Sequence, residues 1–320
     1  MRSPMRSPMR SPVTRTRAGF TLPELIISMT VAMIVIAGAT AFSVSSWETR
    51  RGWTVREGVD RGARFVGLSL ARDVAEAGIA MESTPTFASL GTFGDTLSVL
   101  SVPYSPNEAP VYTIYNDGDT LPNYPPGGNC GATCIEFVNP SGPIDLVGGS
   151  LARLQVGSSR RLLLLQSVTT ASGGRFRVEF LNTPSLLGRT SGLDSLLLTR
   201  AGSTIQRVNA TVYWRDVSSK KLYRSTNLSS AGTPIGQLIA SNVEGFNASL
   251  LFINGVERTS YNGVDADTTN DGNDIIGAKV RAQMKSERSD PAVNGGNPVL
   301  RWYEWKVAPR NLLYEKNRTN

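Results

Sequence analysis

The chain has 320 residues, 40% of them hydrophobic and 18% charged, with a formal charge of +7. It contains no histidine, which excludes a Ser-His-Asp triad, a His-ligated zinc site and an imidazole proton shuttle. Two cysteines are too few for a four-thiolate metal centre, and 31 glycines with 18 prolines suggest a loop-rich, strand-leaning body. The basic excess is local: residues 1–19 hold Arg2, Arg6, Arg10, Arg15 and Arg17 and no acid. The other 301 residues carry 28 basic against 26 acidic groups, +2, so most of the charge belongs to a leader rather than to a polyanion-binding face.

The first element is Leu25–Val44, twenty residues without a charge. As a helix it would span ~30 Å, the thickness of a bilayer's hydrocarbon core. A buried core helix is the competing reading, but core helices rarely carry such an arginine-rich flank. Arginines before the segment and Glu48 beyond it place the N-terminus in the cytoplasm and the remainder outside. An ordinary secretory signal has its small-residue cleavage site after the apolar stretch; here a small-residue junction, Ala18-Gly19, precedes it.

The run Gly19-Phe20-Thr21-Leu22-Pro23-Glu24-Leu25 resembles the class III signal of type IV prepilins. That resemblance implies cutting between Gly19 and Phe20 by a membrane-embedded prepilin peptidase, methylation of the new Phe20 amine, and retention of the apolar helix. It also implies that Glu24, an acid expensive to place at the edge of a membrane, pairs with the terminal amine of a neighbouring subunit. The alternative for Glu24 is an acid resting among lipid headgroups. Pro23 departs from the aliphatic residue usual there, mildly, because a first helical turn tolerates proline. The leader repeats MRSP three times, so Met1, Met5 and Met9 each offer a start.

Val55, Val59, Ala63, Val66, Leu70, Val74 and Ala77 then recur at three- and four-residue spacing, an amphipathic stripe. Arg50, Arg51, Arg56, Asp60, Arg61, Arg64, Arg72, Asp73 and Glu76 are expected on the other faces. Phe20–Ile79 would form one helix of ~90 Å if unbroken, with Gly38, Gly52, Gly58, Gly62 and Gly67 inviting bends. A free coiled coil fits less well, since the repeat lasts about three heptads.

From residue 80 the period switches to two. Strands are expected at 96–102, 110–115, 134–138, 151–156, 161–168, 175–181, 194–199, 205–215, 221–226, 247–253, 276–285 and 301–307, with a helical turn at Ile235–Ala240. Val208–Arg215 returning through Lys221–Arg224 reads as an antiparallel hairpin. The fold class is α+β: a long N-terminal transmembrane-plus-stalk helix packed on an antiparallel sheet, a type IV pilin-like arrangement. The expected divisions are a leader at 1–19, a membrane and assembly helix at 20–46, a stalk at 47–80 and an extracytoplasmic β-rich domain at 81–320. Leu70–Gly78, the hairpin, IASNVEGFNASLLF and the Arg310-Asn311 tail resemble PilW-like minor pilins and J-type pseudopilins. The nine residues beyond Asn311 depart from that family's ending.

Residues 103–131 form a Pro/Gly/Asn-rich loop, closed by Cys130 and Cys134. Outside the cytoplasm such a pair reads as a disulfide, with a redox pair as the sharper alternative. Asp265, Asp267, Asp271 and Asp274 gather oxygen ligands of the kind calcium takes, but the spacing departs from an EF-hand, and a solvated acidic turn competes. Trp302, Tyr303 and Trp305 near Arg301 and Lys306 could stack on DNA, unless strand alternation buries them. No cofactor is expected, and no nucleophile constellation indicates an enzyme. The resemblance implies other pilin or pseudopilin subunits, prepilin peptidase, an inner-membrane assembly platform and membrane lipid as partners.

Overall fold

A computed structural model describes residues 19–104, 107–115, 133–138, 143–192, 203–263, 270–291 and 293–310. Helix α1 runs Leu22–Ala75, and sixteen strands follow it among the described residues. They are β1 Leu90–Phe93, β2 Thr96–Ser101, β3 Val111–Thr113, β4 Cys134–Val138, β5 Leu151–Val156 and β6 Ser159–Thr170. Next come β7 Arg175–Phe180, β8 Ser185–Leu186, β9 Arg189–Thr190, β10 Thr204–Asp216 and β11 Lys221–Ser225. The last are β12 Gln237–Ala240, β13 Val243–Phe252, β14 Glu257–Arg258, β15 Ile275–Lys285 and β16 Leu300–Val307. This is an α+β fold in which the strands pair antiparallel throughout.

The chain divides into two compact units, Met1–Trp53 and Thr54–Asn320. In the first, the described helix is exposed along nearly its whole length; Ile34 and Phe42 are typical of its outward apolar side chains.

In the second unit the 3.6-residue stripe decides the packing. Val59, Ala63, Val66, Leu70, Val74 and Ala77 are buried against β1, β2, β10, β11, β13 and β15, while Val55 is half-buried. Each fully buried Val or Leu stabilises this contact by about 1.5–3 kcal/mol. The larger sheet has the order β1-β2-β10-β5-β6-β7-β4, with β3 and β11 also on β10 and β12 on β11; the smaller is β14-β13-β15-β16. The thirteen residues of β10 serve two places. Their C-terminal half pairs with β2 and β11, and their N-terminal half with β3 and β5. A further core around Tyr112, Ile135, Phe137, Leu154, Val178 and Ile205 is built mainly from strand residues, joined by Leu146 from a loop, with the Tyr112 and Phe137 rings 4.9 Å apart.

Several expectations change. The helix begins and ends inside Phe20–Ile79, and its glycines do not interrupt it. Gly67 instead permits a close approach: a Cβ there would lie 2.3 Å from Trp305 Nε1. Ile235–Ala240 is not a helical turn, because Gln237–Ala240 gains ladder bonds with β11 that an isolated turn would lack. The expected strand at 194–199 lies outside the described residues. β1, β8, β9, β12 and β14 were not among the expected strands; none exceeds four residues, too short for alternation to register.

Candidate functional site

The start of α1 is capped by the Glu24 carboxylate, which accepts both bonds from Thr21. Thr21 precedes the helix, and its backbone N–H and Oγ1 hydroxyl both donate to Glu24 Oε2, at 3.1 and 2.9 Å. Leu25 N–H donates to Thr21 O at 3.1 Å, closing the first turn. Thr-x-x-Glu is the capping-box spacing, in which the acid at the third helical position returns to the cap residue's N–H. Pro23 is the second helical residue, where no intrahelical N–H bond is lost. Glu24 therefore satisfies an otherwise orphaned donor within its own chain, a role the sequence reading overlooked although the spacing was visible.

Gly19 and Phe20 precede the helix and are exposed, Phe20 by 81%. Along the apolar segment the hydroxyls turn back onto the helix: Ser28 to Glu24 O, Thr30 to Ile27 O, Thr40 to Ile36 O and Ser43 to Ala39 O. Each of these polar groups thus finds its partner within the segment, the requirement that a hydrocarbon environment imposes. α1 is the one helix among the described residues long and apolar enough to cross a membrane.

The remaining candidates separate. Cys134 opens β4, is buried and is disulfide-bonded, while Cys130 lies outside the described residues. Asp265 and Asp267 also lie outside them. Asp271 is buried, and its Oδ1 accepts from the backbone N–H of Asn273 at 2.6 Å and of Asp274 at 3.2 Å, the pattern of a carboxylate shaping its own turn. Among the described residues no three His, Cys, Asp or Glu side chains gather as a metal site. Tyr303 and Trp305 pack on the α1 core, as strand alternation requires, and Trp302 is 45% exposed.

Three buried charged groups, Asp73, Glu136 and Arg189, were not singled out from sequence; Glu136 on β4 is ion-paired with Arg175 and Arg177 of β7. Asp73, expected on a polar face, is 4% exposed and lies on the core side of α1. Its carboxylate accepts from Tyr213 Oη at 2.5 Å, from Arg224 Nε and Nη2 at 2.5 and 3.0 Å, and from Arg72 Nε at 3.1 Å. Burial alone would raise its pKa, but the Arg224 and Tyr213 hydrogen bonds, Arg224's charge and the Arg72 bond outweigh it and hold the carboxyl below its ordinary value. Arg189 is 2% exposed, and burial lowers its pKa to about 10. It donates to Ala88 O, Ser89 O, Leu187 O and Ser98 Oγ, fastening β9 to the chain around β1 and β2. A lone arginine in a loop-rich stretch gives no periodic signal. Asp73 did have one, its offset of one turn from Leu70 and Ala77 on the stripe.

The exposed apolar helix, its capped start and the small-residue junction before it form one continuous segment, and the comparison with family models falls on that segment. Residues 14–40 match the prokaryotic N-terminal methylation motif. The N-terminus carries a prepilin-like signal. The match covers 27 residues and leaves the body outside it. No curated protein and no solved structure matches the chain. The prepilin-like signal implies processing by prepilin peptidase and pilin-type subunits as partners, and with the apolar helix it indicates membrane anchoring.

Proposed function

We propose that the protein is a minor pilin, stored in the cytoplasmic membrane and then incorporated into a type IV pilus as a rare tip or initiation subunit. The observation carrying this reading is the methylation-motif match at 14–40, which runs into a helix whose apolar side chains face outward. Cleavage falls between Gly19 and Phe20, and Phe20 receives the methyl group. Glu24 then has two partners in sequence: the Thr21 cap in the isolated subunit, and the Phe20 amine of a neighbour in the filament. The motif belongs to structural subunits, so the body's buried charges are assigned to holding the fold. Cys130 pairs with Cys134 in this reading, stiffening one turn.

The test is expression of Gly19→Val and Glu24→Ala variants in a strain lacking the protein. Gly19→Val leaves an uncut precursor on an immunoblot. Glu24→Ala is cut normally but disappears from sheared surface fibres. Mature-sized Gly19→Val protein, or normal fibre incorporation of Glu24→Ala, contradicts the reading. Assaying twitching, DNA uptake and secretion in the deletion strain separates a pilus subunit from a J-type secretion pseudopilin, and from an adhesin or DNA receptor.

A further inference from the structure

The following inference rests on the membrane-stored form proposed above. Just past the uncharged segment, α1 carries Trp47, 64% exposed, with exposed Arg50 and Arg51 on the next turn. The Arg51 guanidinium lies over the Trp47 ring, 5.2 Å from its centre, and a shallow groove of Ser43, Val44, Trp47, Glu48 and Arg51 runs along that side. At 1.5 Å per residue, Trp47 stands ~4.5 Å beyond Val44 and the two arginines ~9–10 Å. The polar headgroup layer on each side of a bilayer is ~5–8 Å deep. Trp47 therefore falls within it, and the long arginine stems allow the guanidinium groups to reach back into it. Indole rings favour that layer because one edge is apolar and the other can hydrogen-bond.

The charge distribution is asymmetric in the same direction. All five leader arginines precede the Gly19–Phe20 junction, and between Phe20 and Val44 the sole charged side chain is Glu24. Once the leader is removed, the inner end of the helix keeps one positive charge, the Phe20 amine, against the Glu24 carboxylate, which is also engaged by its own cap. The outer end keeps Arg50 and Arg51, partly offset by Glu48. We propose that Trp47, Arg50 and Arg51 are a docking site for anionic phospholipid headgroups of the outer leaflet, which hold the processed subunit in the membrane by its outer end. The phosphate is taken by the guanidinium groups, which can bond it at two oxygens, while the adjoining apolar segment takes the acyl chains.

The test uses the processed protein, beginning at Phe20 and purified from its own membranes, reconstituted into phosphatidylcholine vesicles doped with spin-labelled phosphatidylglycerol or spin-labelled phosphatidylcholine. The readout is the fraction of label immobilised by the protein. The anionic label is expected to be favoured by about fivefold, the effect of one near-surface arginine. The preference should fall close to unity in Arg50→Gln/Arg51→Gln and at high salt. Arg61→Gln/Arg64→Gln removes the same charge from the second unit and should keep it. An unchanged preference in the first variant, or an equal loss in the second, overturns the site alone. Absence of any immobilised lipid overturns both the site and the membrane reading beneath it.

Discussion

The two stretches of α1 are the same secondary structure built for different surroundings. From Leu25 to Val44 the helix shows apolar side chains on every side, with Ile34 72% and Phe42 76% exposed. From Thr54 to Ala75 it turns one stripe inward, with Val66 and Leu70 fully buried, and keeps charges such as Arg61 and Glu57 outside. Backbone hydrogen bonding cannot separate the two, since both satisfy it internally. What separates them is periodicity: uniform apolarity asks for an apolar solvent, whereas a 3.6-residue stripe asks for a sheet. Mutations in one stretch should therefore report on folding of the body, and mutations in the other on processing and assembly.

Asp73→Ala should give the largest effect. It strips Arg224 and Tyr213 of their buried partner and is expected to cost about 3–5 kcal/mol, read as a lower denaturation midpoint of the body. Its pH dependence has a definite sign. Because the folded pKa lies below the ordinary 3.8, the contribution is fully present above that value and is lost as pH falls through the depressed one. Wild type should thus lose stability below about pH 4 more steeply than Asp73→Asn; parallel pH profiles would remove the carboxylate from the account. Gly67→Val comes next, since the indole of Trp305 occupies the space a Cβ needs. A cost of about 1–3 kcal/mol is expected, partly recovered when Trp305→Phe is added. Thr21→Ala should have the smallest effect, about 1 kcal/mol at the helix start. It would appear as faster amide exchange in residues 22–25 with an unchanged melting transition of the body, and a shifted transition would show that the cap matters beyond its own turn.

The stripe and the β10–β11 hairpin were legible in the sequence because both repeat with the period of their element. Asp73 was not, although its place on the stripe could have flagged it: an acid amid Leu70, Val74 and Ala77 reads as solvated until Tyr213 and Arg224 arrive from strands about 140 and 150 residues away. Arg189 depends in the same way on carbonyls roughly 100 residues distant. Ile235–Ala240 has too few residues for its period to decide between helix and strand, so its strand register comes from β11. At the N-terminus the spacing of Thr21 and Glu24 was visible, and the structure adds that the pair closes on itself. Cys130, Asp265 and Asp267 lie outside the described residues, so the loop chemistry around them stays with the sequence.

The central claim is that the apolar helix survives processing and becomes the N-terminus of the mature subunit. Intact-mass and peptide mass spectrometry of the protein purified from its own membranes tests it directly. The account predicts a terminal peptide beginning at Phe20 and heavier by one methyl group. A mature chain beginning downstream of Val44 would contradict it.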